Sequence, residues 1–156
     1  VLVRHAVTPQ TGPLLSGRTP GIDLSDEGRA QAAALGARLA ELPVAAVYAS
    51  PIERTTQTAE AIAAPHGLEV RPLDGVLEAD YGQWTGQRLA DLATTDLWKV
   101  VQRTPSRATF PGGESLRAMQ ARMVAALAST SGTSPSSCSS GFAAPTHAPC
   151  RPVAGR

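Results

Sequence analysis

The stretch Val44-Ala45-Ala46-Val47-Tyr48-Ala49-Ser50-Pro51-Ile52-Glu53-Arg54 decides how the chain is to be read. Val44 to Tyr48 is a short apolar run of the kind that forms a strand buried on both faces. Ser50 and Pro51 then look like a helix start, with Ser as the N-cap and Pro at the first helical position, where its missing N–H is harmless. The helix is predicted to run to about Ala64 and to stop at Pro65-His66-Gly67. Leu68 to Pro72 reads as the next strand. On the other side, Ser25 precedes Asp26 and Glu27, a cap followed by acids in the first turn. The Ala-rich segment to about Leu42 places Leu35, Leu39 and Leu42 on one helix face, and Pro43 ends it.

The same alternation extends to both ends. Val1-Leu2-Val3 reads as a buried first strand, followed by a polar loop from about Ala6 to Asp23. Asp74 to Gly86 is predicted as a loop, about Gln87 to Arg103 as a helix, and about Glu114 to Ala128 as another. Strands alternating with helices imply an α/β fold: a three-layer sandwich with a mostly parallel central sheet and helices on both faces. At 156 residues the chain suits one domain.

Fourteen basic and thirteen acidic residues give a formal charge of +1. No global basic field favours nucleic acid, and no apolar stretch approaches the roughly 20 residues of a membrane span. The chain opens on Val1, inside an apolar run and without a signal-like segment, which reads as a natural start lost and a cytoplasmic setting. Cys138 and Cys150, with only His147 nearby, make a poor zinc set, and a disulfide does not fit a reducing compartment.

The chemistry falls at the strand ends. In parallel sheets ligands bind beyond the carboxyl ends of the strands. Arg4-His5 follows the first predicted strand, and Arg54 lies in the first turn of the helix after the second. Two guanidinium groups and a helix N-terminus make an anion site, since arginine matches phosphate oxygens bidentately and keeps its charge. A neutral imidazole attacks phosphorus when such a cradle stabilises the transition state. Glu78 or Asp80, in the acidic loop after the third strand, is placed to give the leaving alcohol its proton.

These segments resemble the histidine phosphatase superfamily, the phosphoglycerate mutase-like proteins. Val1 to Thr8 is similar to its opening strand and Arg-His-Gly-x-Thr/Ser motif. Residues 23–32 resemble its Leu-Ser/Thr-x-x-Gly-x-x-Gln-Ala helix start, and 49–59 its Ser-Pro-x-x-Arg-x-x-x-Thr-Ala segment. Residues 77–86 resemble its proton-donor loop, and Pro111-Gly112-Gly113-Glu114-Ser115 the turn before its later helix. The run Trp98-Lys99-Val100-Val101-Gln102 before Phe110-Pro111-Gly112-Gly113-Glu114 resembles its small phosphomutase-like and acid phosphatase-like branch. The resemblance implies that His5 becomes phosphorylated and that Glu78 is the general acid and then base. It implies that Arg4 and Arg54 hold the phosphoryl oxygens, with Thr8 and Gly17 as further substrate contacts. No metal or organic cofactor is implied, and the partner is a small phosphorylated metabolite. Hydrolysis of phosphomonoesters is the expected reaction. A phosphomutase is the alternative, disfavoured because Pro9, Gln10 and Thr11 stand where that branch carries an Asn. A catalytically impaired phosphate-binding remnant is the alternative from another class.

Two departures from the family stand out. Ala6 replaces the glycine after the nucleophile, at a cost on the order of 1 kcal/mol if the backbone there needs a positive φ. The family's last strand, with its second pocket histidine, is missing from the pattern after residue 128. Residues 129–156 hold seven Ser, no acid and no Leu, Ile or Met, so they read as a disordered tail appended to a domain of residues 1–128. A frameshift is an alternative source of such a tail, decided by the gene's DNA across codons 125 to 156. Thr146-His147-Ala148 only loosely echoes the closing motif, and His66 reads as a surface or capping residue.

Overall fold

The computed structural model describes residues 1–131. Its regular elements are α1 (Asp26–Leu39), β1 (Val47–Ala49), α2 (Glu53–Ala63), β2 (Val70–Pro72), α3 (Leu89–Leu92), α4 (Asp96–Arg103) and α5 (Leu116–Ser131). Strands β1 and β2 pair in parallel, with Val47 opposite Val70, Tyr48 opposite Arg71 and Ala49 opposite Pro72. Helix α2 makes the crossover between them, as a parallel pair requires. The α/β reading with a parallel sheet holds, and among the described residues the sheet has these two strands.

Ser25 caps α1 as expected, its Oγ accepting from Gly28 N at 3.0 Å. Helices α1 and α2 then pack closely. Gly36 faces Ala61 so tightly that a Cβ there would run into the Ala61 carbonyl. Ala32, Ala59, Ile62 and Ala63 are buried along these helices, and small residues are what allow the approach. A second core joins Ala79, Trp84, Leu92 and Phe110, with Tyr81 edge-on to Phe110 at 4.8 Å between ring centroids. It lies under the acidic loop, so that loop is anchored by aromatic packing. Its backbone contains two single-turn 3₁₀ segments, Asp74–Val76 and Gly82–Trp84, that the sequence reading gave as plain loop.

Four expectations are corrected. Val1 to Val3 form no strand and are exposed, Val1 at 97% and Leu2 at 84%. An apolar run is buried only where neighbours cover it, and among the described residues none pairs with this one. Ser50 is not the cap of α2. Ile52 takes that position, extended at φ −95°, and the helix begins at Glu53 because Ser50-Pro51-Ile52 makes a bend first. The single helix predicted over 87–103 is broken in two, because Thr95 caps a fresh start by accepting from Trp98 N. Helix α5 runs to Ser131, so Ser129 and Thr130 belong to it and not to a tail. The remaining tail, with Cys138, His147 and Cys150, lies outside the described residues. His66 does end a helical turn after α2, with Gly67 following in the left-handed region at φ +64°.

Candidate active site

The loop from residue 4 to residue 18 and the start of α2 are held together by a few specific bonds. Ala6 N donates to Thr58 Oγ1 at 3.1 Å, and the same hydroxyl donates to Arg54 O at 2.7 Å. Thr58 is buried on α2, so one side chain fixes the residue after His5 to the helix that carries Arg54. Val7 O accepts from Ser25 N at 3.1 Å, and Gly28 leaves room for it: a Cβ at Gly28 would collide with that carbonyl. Farther on, Thr8 N donates to Thr11 Oγ1 at 2.9 Å, and Ser16 Oγ donates to Gln10 Oε1 at 3.0 Å. The loop is thereby closed on itself. Ala6 takes no positive φ, so its methyl group costs no backbone strain.

These bonds shape a cleft of about 100 Å³. All six residues singled out from sequence line it: Arg4, His5, Thr8, Gly17, Arg54 and Glu78. Asp80 does not; its carboxylate accepts from Gly82 N at 3.0 Å, within the loop. A larger open hollow of about 480 Å³ lies between the loop and the start of α1. Its cation, Arg29, is paired with Asp26, its serine, Ser25, caps α1, and Asp23 accepts from Gln57 Nε2 at 2.6 Å.

His5 Nδ1 lies 2.7 Å from Ala6 O. A carbonyl oxygen only accepts, so Nδ1 carries the proton and Nε2 of the neutral ring keeps the free lone pair. Burial lowers the His5 pKa below 6.5; the Ala6 hydrogen bond opposes this, Arg54 and Arg4 add to it, and Glu78 opposes it. The net effect keeps the ring neutral to lower pH than a free histidine. The unfolded chain therefore binds this proton more readily than the folded one. His5's contribution to stability is complete above 6.5 and is lost as pH falls below that value toward the folded pKa. The expected result is an imidazole resonance that titrates with a midpoint below 6.5, assigned by its loss in His5→Ala, and read by proton NMR. A midpoint above 6.5 would contradict the burial and charge balance described.

Arg54 is 3% exposed and donates from Nη2 to Gly17 O at 2.6 Å. Its Nη1 is buried with no protein partner among the described residues. A charged donor left this way is costly unless something meets it. Gly17 has φ +54°, and a Cβ there would press on Tyr81 and Thr85, so glycine is needed to turn its carbonyl onto Arg54.

Glu78 lines the same cleft. Its Oε1 accepts from Ala79 N at 2.9 Å and from Tyr81 Oη at 3.2 Å. With Oε1 engaged twice, Oε2 is the oxygen free to carry a proton. Tyr81 also lines the cleft, and burial together with the Glu78 charge pushes its pKa up, so it remains a donor. Sequence reasoning assigned no role to Tyr81 or to Thr58. For Tyr81 the available signal was a phenol three residues after Glu78 in the same glycine-containing loop; for Thr58 it was the Thr of the Ser-Pro-x-x-Arg-x-x-x-Thr-Ala segment, four residues after Arg54.

A family model described as the histidine phosphatase superfamily (branch 1) matches residues 1–143. The chain belongs to the histidine phosphatase superfamily. Phosphoserine phosphatase 1 of Hydrogenobacter thermophilus is 35% identical over 129 residues, covering 79% of this chain and 59% of that protein. Among solved structures, a mycobacterial glucosyl-3-phosphoglycerate phosphatase superposes with a TM-score of 0.71 at 27% identity, covering 81% of this chain and 62% of that one. The α-ribazole phosphatase from Shigella flexneri gives 0.71 at 25% identity, over 83% of this chain and 64% of that one. The chain thus spans about three fifths of the length of these relatives. Among the described residues no cluster of His, Cys, Asp and Glu is arranged to hold a metal ion, and no helix is long and apolar enough to cross a membrane.

Proposed function

We propose that this superfamily member hydrolyses phosphomonoesters of small metabolites through a phosphohistidine on His5. The observation that carries the proposal is the buried Arg54 guanidinium, with Nη1 unpartnered, lining the same small cleft as a histidine whose Nε2 is free to attack. A phosphoryl oxygen supplies the missing acceptor, and the cleft volume suits a phosphoryl group rather than a whole metabolite.

In the first step the Nε2 lone pair of His5 forms a bond to phosphorus while the ester P–O bond breaks. Arg54 and Arg4 stabilise the charge on the equatorial oxygens, and the N-terminal turn of α2 adds its dipole. Glu78 gives the proton on Oε2 to the departing alkoxide. In the second step the Glu78 carboxylate takes a proton from water, whose oxygen attacks the phosphohistidine and restores Nε2 with release of phosphate. Ala6 O holds the Nδ1 proton throughout, which stabilises the ring as it gains positive character.

The alternative phosphomutase differs only in the acceptor, an alcohol in place of water. The relatives above are all named as phosphatases, which favours water. Their substrates share little beyond a phosphate ester, so the proposal stops at that class.

The test is dependence on the leaving group. Glu78→Gln is expected to slow an alkyl phosphate by roughly 10²-fold or more and p-nitrophenyl phosphate far less, since a good leaving group needs little protonation. Steady-state rates on both substrates decide it. Equal losses would remove Glu78 from the acid role. A wild-type chain that binds vanadate yet turns over neither ester would instead identify an impaired phosphate-binding remnant.

A further inference from the structure

Around the backbone of Glu78, side chains from outside the loop grip it. Arg122 comes from α5. Its Nη1 donates to Gly75 O at 3.1 Å and Leu77 O at 2.7 Å, and its Nη2 donates to Glu78 O at 3.0 Å. The guanidinium is also bidentate to Glu114, from Nη2 to Oε1 at 2.6 Å and from Nε to Oε2 at 3.0 Å. Glu114 Oε1 in turn accepts from Asp80 N at 2.8 Å and from Arg18 Nη2 at 2.9 Å. Arg18 Nε closes the ring by donating to Glu78 O at 2.7 Å. Three carbonyls and one amide, spanning residues 75–80, are thus held by three side chains from distant parts of the chain.

We infer that Arg122 and Glu114 are positioning residues for Glu78: the ion pair sets where the acid's backbone sits against His5. The inference rests on the proton-transfer role proposed above. Two features favour positioning over a general contribution to stability. First, Arg122 and Arg18 both donate to the carbonyl of Glu78 itself, and Glu114 accepts from the amide of Asp80 two residues on. Second, the loop is pressed onto α5 at Gly75, where a Cβ would meet Ala126, so the guanidinium has a short, fixed reach. Lysine cannot reproduce the grip, because one ammonium on a flexible stem cannot meet a carboxylate bidentately and three carbonyls in a fixed plane. Arg122 also pulls the pKa of Glu114 down, chiefly through the side-chain hydrogen bond, so the pair stays ionised over the working range of pH.

The experiment compares full-length Arg122→Lys and Glu114→Gln with the wild type in two measurements. Rates on glycerol phosphate and on p-nitrophenyl phosphate report acid placement. Misplacement by about 1 Å costs on the order of 10²-fold, so the alkyl ester is expected to lose roughly 10- to 100-fold while the aryl ester loses less than about threefold. Hydrogen exchange across residues 74–82 reports the grip itself, independent of turnover, and protection there is expected to fall in both variants. Equal losses on the two esters would overturn the positioning role. Unchanged protection would overturn the grip. Should the wild type hydrolyse neither ester, the proposed function fails, and the exchange result alone then judges whether the pair holds the loop. If Arg122→Lys does not fold, Glu114→Gln, close to isosteric, carries the same comparison.

Discussion

His5→Ala is expected to lower turnover of p-nitrophenyl phosphate by on the order of 10⁴-fold or more, because removing a covalent nucleophile removes the pathway and not one of its stabilising contacts. The methyl group that remains offers neither the Nε2 lone pair nor the Nδ1–H that donates to Ala6 O. Phosphate affinity should fall far less, since Arg54 and Arg4 remain. Quenching the wild type during turnover of radiolabelled substrate should trap a phosphoprotein that is stable to base and lost in acid, the behaviour of a P–N bond. The variant should trap none. A phosphoprotein of unchanged amount in His5→Ala would move the nucleophile elsewhere and dismantle the proposed mechanism.

Arg54→Lys is expected to be nearly as damaging, although it keeps the charge. Arg54 performs two tasks from one plane: Nη2 holds Gly17 O at 2.6 Å, and Nη1 remains buried and available. A lysine ammonium can serve one of these positions but not both with the same geometry. Loss of one donor aimed at developing charge costs roughly 10²- to 10³-fold in turnover, and a fall of that size in kcat is expected here. Affinity for inorganic phosphate, measured by titration calorimetry, should drop alongside. Arg54→Ala should also destabilise the fold by about 1–3 kcal/mol, because the Gly17 carbonyl is left without its donor in a buried place. Thermal unfolding reads that part separately. A lysine variant within about threefold of wild type on both measures would show that charge alone suffices, against the fork argument drawn from guanidinium geometry.

Of the residues that line the cleft, Arg54 and Glu78 follow from local chain logic: Arg54 falls in the first turn of the helix after one strand, and Glu78 stands in the loop after the other. Such positions are readable because strand ends and helix starts in a parallel sheet point one way. Arg4 and His5 were placed at the end of a strand that does not form, and Thr8 and Gly17 came with the family resemblance alone. The readings that failed did so for different reasons. Val1 to Val3 have the composition of a buried strand, yet composition does not supply the neighbour that buries it. Ser50 has the chemistry of a cap, but Pro51 and Ile52 delay the helix, and the Ser50 carbonyl instead accepts from Thr55 Oγ1 at 2.6 Å. The break at Thr95 was visible in principle, since a threonine followed by Asp96 is a helix-start signal; the run of leucines on both sides hid it. The bonds of Thr58 and Arg122 were beyond reach for a different reason. Each works by meeting backbone atoms whose proximity exists only after folding, so even the motif that contains Thr58 marks its position and not its partners.

The hydroxyl of Thr58 has a consequence for how this site can be altered. Through it, the stretch bearing His5 and the helix bearing Arg54 are tied to each other, while residues 81–110 contribute only Tyr81 to the cleft wall. That segment is nevertheless not free to change throughout: Trp84, Leu92 and Phe110 pack beneath the loop that carries Glu78 and must stay with Tyr81. Exchange confined to its exposed positions would retune which esters enter and leave the cleft itself in place.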